Sequence, residues 1–114
     1  MAIKIESIDT LKKYFLGVIN RTDDHAPNID TIIYGLLGVV ILLKDDGTNI
    51  EVRGTDDDSM GNILWVIIDG IRYALRYEHS DGTIEIRLNT YKGDLVLKIS
   101  NSTTISQIIT AFSN

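Results

Sequence analysis

Residues 63–78, ILWVIIDGIRYALRYE, restrict the local fold more than any other stretch of the chain. Asp69-Gly70 suits a two-residue hairpin turn, because both central residues of such a turn take positive φ. After the turn, apolar and polar residues alternate, as in a strand with one wet face. Before it, Ile63, Leu64, Trp65, Val66, Ile67 and Ile68 are apolar without a break. A strand of that composition needs cover on both faces, and a fold built on this hairpin must supply it.

The remaining turn signals extend the pattern. Asp46-Gly47, the four residues 79–82 and Lys92-Gly93 separate expected strands at 39–44, 48–54, 63–68, 71–78, 83–90 and 94–100. Val39, Val40 and Ile41 are β-branched, which favours the first of these strands over a continued helix. Residues 2–5 read as a further short strand. Ahead of the hairpins, Ile8, Leu11, Phe15, Val18 and Ile19 recur at helical spacing over about 8–20, with Ser7 as cap. A second helix is expected after Asn28, with a stripe of Ile29, Ile32, Ile33, Leu36 and Leu37 and with Gly38 just past its end. A third is expected at 104–112, capped by Thr103 or Ser102, with Ile105, Ile108, Ile109 and Phe112 on one side. The expected fold class is α+β: two N-terminal helices, an antiparallel five- or six-stranded meander sheet and a C-terminal helix, with the helices mainly on one sheet face. At 114 residues the chain has room for a single domain, 1–114.

Register follows from pairing. A turn at Asp69-Gly70 sets Ile68 against Ile71, Val66 against Tyr73 and Leu64 against Leu75. In the next hairpin a four-residue loop sets Arg76 opposite Glu85, whereas a two-residue loop would oppose Arg76 to Arg87, so the longer loop is preferred. A turn at Lys92-Gly93 places Leu88 by Leu97 and Ile86 by Ile99. In the first hairpin Ile41 and Leu43 join Val52 and Ile50. The period of two then assigns Val40, Leu42, Glu51, Arg53, Ile63, Trp65, Ile67, Arg72, Ala74, Arg76, Glu78, Glu85, Arg87, Val96 and Lys98 to the second face. Its early strands are apolar around Trp65 and its later strands charged. Such a patch is expected to be an interface or a groove.

Other candidate chemistry is weak. Asp56, Asp57 and Asp58 could face a hard cation, but Met60 and Ile67 occupy positions where an EF-hand needs ligands. Asp23, Asp24 and His25, and separately His79, read as loop residues. Ser59 and Ser80 lack a base or a nucleophile frame, and no phosphate loop occurs. The chain has no cysteine, which removes thiolate chemistry and disulfides. No metal or cofactor is expected. A formal net charge of -5 disfavours nucleic acid, and no apolar run is long enough to span a bilayer as a helix. With no signal peptide at the start, a cytoplasmic location is expected.

The sequence therefore points to a small non-enzymatic binding module, acting as a homodimer through the Trp65 face. A protein partner or a small apolar or anionic ligand is the other expected occupant. The order of elements resembles cone-shaped α+β folds that enclose a small-molecule pocket. That resemblance implies an alternative, a carrier or hydrolase-like enzyme with the same face concave.

Overall fold

The structure is a computed structural model and describes residues 2–5, 12, 16, 28–54, 60–78 and 80–113. The fold is α+β. Six antiparallel strands lie in sequence order, β1 (Ala2–Ile5), β2 (Ile50–Gly54), β3 (Met60–Ile68), β4 (Ile71–Glu78), β5 (Thr83–Leu88) and β6 (Leu95–Ile99). Helix α1 (Ile32–Leu43) stands between β1 and β2, and α2 (Ile105–Ala111) follows β6. Lys12 and Leu16 are also helical; the rest of the helix expected over 8–20 lies outside the described residues.

The hairpin at the centre has the expected register, Ile68 to Ile71, Val66 to Tyr73 and Leu64 to Leu75. Asp69 and Gly70 both take positive φ, 52° and 78°, the left-handed pair that matches the twist of the strands. Asp45 clamps this turn, its carboxylate accepting from the Asp69 N–H (2.6 Å) and the Gly70 N–H (2.8 Å). The next connection is the four-residue loop, with Glu78 paired to Thr83 and Arg76 to Glu85.

Two expectations fail. Residues 39–43 are not a strand; α1 runs through Gly38 to Leu43, and the edge place beside β2 is taken by residues 2–5. Helical geometry keeps Val39 and Val40 buried with Ile33, Leu36 and Leu37, and this burial outweighs the β preference of three branched residues. Ile41 and Leu43 therefore do not pair with Val52 and Ile50. The final hairpin is also displaced: Ile86 faces Leu97 and Ile84 faces Ile99, two positions from the expected register. Lys92-Gly93 is not a two-residue turn. The chain leaves β5 through Asn89 (φ 65°), Leu88 N–H donates to the Asp94 carbonyl, and a bulge interrupts the pairing after Ile86. A Cβ on Gly93 would overlap the Leu88 carbonyl, so this compact loop requires glycine there. The bulge accompanies the placement of Val96 against the main core.

Caps also differ. Neither Asn28 nor the Thr31 side chain caps α1; Asn101 Oδ1 accepts from the Thr31 and Ile32 N–H groups at 3.1 and 3.0 Å. For α2 the cap is Thr104, in a reciprocal capping box with Gln107. Thr103 is already engaged, its hydroxyl accepting from the Ser100 N–H. The core joins Ile33, Leu36 and Val40 of α1 and Ile108 of α2 to Val52, Val66, Tyr73 and Ile86 of the sheet. Tyr73 meets Phe112 edge-to-face at 4.9 Å.

Candidate functional site

The buried residues Ile63 and Ala74 do not belong to that core. They lie on the opposite sheet face, which two cross-strand rows define. Glu51, Trp65, Ala74 and Arg87 are successive partners in one row; Ile63, Arg76, Glu85 and Lys98 form the other. Ile67 and Arg72 pair beside them. The structure thus brings together seven of the residues expected on this face: Ile63, Trp65, Ile67, Arg72, Ala74, Arg76 and Glu85. It separates three others, Val40, Leu42 and Val96, the last of which packs against the main core beside the β5–β6 bulge. Val40 is in the helical core and Leu42 is solvent-exposed on α1, because both belong to a helix and not to a sheet strand.

What covers the apolar strand is a layer of guanidinium groups and one tyrosine. Arg72 lies over the Trp65 ring, 5.0 Å from its centroid. Its Nη1 donates to the Asn89 carbonyl at 2.7 Å and its Nη2 stands 3.6 Å from Glu51. Tyr91, in the β5–β6 loop, has Arg53 at 5.4 Å, Lys92 at 5.5 Å and Arg76 at 5.9 Å from its ring centroid. Since Arg53 and Arg76 rise from this face, the loop bends back over it. Ala74, directly opposite Trp65, gives these long side chains room to lie flat. The indole Nε1 is buried and has no hydrogen-bond partner among the described residues.

Glu85 is the buried carboxylate of the face. Arg87 grips it with two bonds, Nε to Oε1 at 2.9 Å and Nη2 to Oε2 at 3.1 Å, while Arg76 Nη1 stands 3.8 Å away. Arg76 also bonds Glu78 at 3.0 Å, and Arg87 Nη1 donates to the Gly93 carbonyl. At the rim, Lys98 bonds Asp81 at 2.7 Å. That bond holds the Asp81 carboxyl down at about 2 and raises Lys98. The Ser80 N–H lowers Glu78, and the Glu85 bond raises Arg87. Among the described residues Arg53 and Lys92 have no carboxylate partner, and their cations rest on Tyr91.

Sequence reasoning assigns Arg53 to this face by strand alternation but misses Tyr91, Lys92 and Asn89 as parts of it. Tyr91 had a plain core explanation, and a two-residue turn at Lys92-Gly93 would have left no loop to fold back. Of the other candidates, Asp23, Asp24, His25, Asp56, Asp57, Asp58, Ser59 and His79 lie outside the described residues. Among the described residues no group of three or more His, Asp or Glu side chains is placed to hold a metal ion. No described helix is long and apolar enough to cross a membrane.

These features define a small α+β protein whose antiparallel sheet has an apolar core on one side and an ionic, aromatic surface on the other. The chain belongs to the family described as integron cassette protein VCH_CASS1 chain, whose model matches residues 11–109. No curated protein matches it.

Proposed function

We propose that the protein is a small non-enzymatic, cytoplasmic binding module whose Trp65 face docks an acidic segment of a partner protein. One observation carries this reading: Arg53 and Lys92 lie against Tyr91, beside the stacked Arg72–Trp65 pair, with no carboxylate of the described residues neutralising either cation. Stacked arginines keep their N–H groups available at the ring edge, where a carboxylate can accept them. The net charge of -5 sets this cationic face apart from the molecule as a whole and disfavours long polyanions such as nucleic acid. The same charges disfavour an isologous pairing through this face, which would set Arg53, Arg72 and Lys92 near their own copies.

Trp65 is the chain's only tryptophan, so its fluorescence reports on this face alone. Titration with an oligoglutamate peptide is expected to shift the emission saturably, more weakly at about 0.5 M salt, where screening shortens to a few ångströms. The double variant Arg53→Ser, Lys92→Ser is expected to lose the response. An unchanged spectrum, an equal response to oligolysine, or an equal response to inorganic phosphate alone would refute docking of an acidic segment.

A further inference from the structure

Helix α1 carries no charge along its twelve residues, IIYGLLGVVILL, yet only part of its circumference is buried. At 100° per residue, Tyr34, Gly38, Ile41 and Leu42 share an arc of about 100° that faces away from the sheet. Tyr34 is 57% exposed, Ile41 46% and Leu42 83%. Gly35 packs so closely on Ile105 that a Cβ there would collide with its side chain, which brings α2 alongside. Ile105 and Ile109 of α2, 40% and 43% exposed, extend the strip. A helix that is apolar all round normally has a partner on every side.

We infer that this strip is the contact surface of a homodimer, with α1 crossing α1 of a second copy at Gly38 in antiparallel sense. Four observations favour a second copy. The strip is uncharged, so pairing it with itself brings no like charges together. Its flanks carry opposite charges, Asp30 two residues before the helix and Lys44 directly after it, so an antiparallel pairing keeps like-charged ends apart. Complete burial of the exposed parts of these five side chains would remove on the order of 500 Å² per copy, about 1,000 Å² for the pair, the range of a small, weak interface. At Gly38 nothing among the described residues lies within 4 Å of a Cβ position, so another helix has space to approach.

The test is the mass of the full chain in solution by sedimentation equilibrium, at concentrations up to about 100 µM. The expected result is a dimer that Leu42→Glu converts to a monomer with unchanged circular dichroism; Leu42 is too exposed for this change to unfold the subunit. Arg53→Ser, on the sheet face, is expected to leave the dimer intact. Because the chain has no cysteine, Gly38→Cys places a single thiol at the crossing point and is expected to give a disulfide-linked dimer under mild oxidation. A monomeric wild type, a dimer that survives Leu42→Glu, a dimer lost in Arg53→Ser, or a Gly38→Cys protein that does not cross-link would overturn the inference.

Discussion

Glu85 receives the two bonds of Arg87 and the nearby charge of Arg76 while almost wholly withdrawn from water. A buried ion pair gains little over a well-packed apolar pair, but removing one partner strands the other. Glu85→Gln keeps the shape and removes the charge, so it is expected to cost about 2–3 kcal/mol in urea unfolding; a cost below about 0.5 kcal/mol would mean that solvent already screens the arginines. The exposed Asp81–Lys98 pair behaves differently. Its folded carboxyl titrates at about 2, below the ordinary value of 3.8. A depressed carboxyl stabilises the fold fully above its unfolded pKa, so this contribution is complete above about pH 4 and fades as the pH falls toward 2. Lys98→Met is expected to return Asp81 toward its ordinary value, which NMR titration of the carboxyl carbon reads directly.

Among the elements, α1 shows what is and is not legible in a linear pattern. The register from β3 to β5 could be read in advance, because Asp69-Gly70 fixes one turn and the Arg76–Glu85 opposition selects the next loop. Both signals are local. Residues 39–43 misled because branching at Val39, Val40 and Ile41 is local too, worth a few tenths of a kcal/mol each, whereas the burial that decides the element comes from distant strands. The cap of α1 was equally hidden, since Asn101 stands 70 positions from the Thr31 N–H that it accepts. Asn101 joins the start of α1 to the β6–α2 connection, and its own N–H donates to the Asn28 carbonyl at 2.7 Å. Asn101→Ala is therefore expected to destabilise the protein by about 1–2 kcal/mol, as loss of a helix cap does. Loss of the Asp45 clamp at the other end, by Asp45→Ala, is expected to cost a similar amount through two charge-assisted bonds to the Asp69-Gly70 turn. Additive effects in the double variant would show that the two ends of α1 are secured independently.

At the scale of the molecule, sequence alternation placed seven of nine candidate residues on one surface, because a period of two survives any error in strand order. It could not show that Tyr91 and the arginines cover that surface, since a loop's path depends on a bulge that no turn motif announces. Strand order has a further consequence. From β2 to β6 every neighbour in the sheet is also the next strand in sequence, while β1 must close a long excursion through α1 to reach β2. Contacts close in sequence form at smaller loop-closure cost. The β3–β4 hairpin is also flanked by strands on both sides, with Tyr73, Val66 and Leu75 in the core cluster. Native-state hydrogen exchange is therefore expected to be slowest at the amides of β3 and β4, which open only on global unfolding, and fastest among the strands in β1, which can detach locally. The difference in opening free energy should narrow as urea is added, because the local route exposes less surface than the global one. Amides of β1 that exchange as slowly as those of β4 would mean instead that the sheet opens as one cooperative unit, with the edge strand as firmly held as its centre.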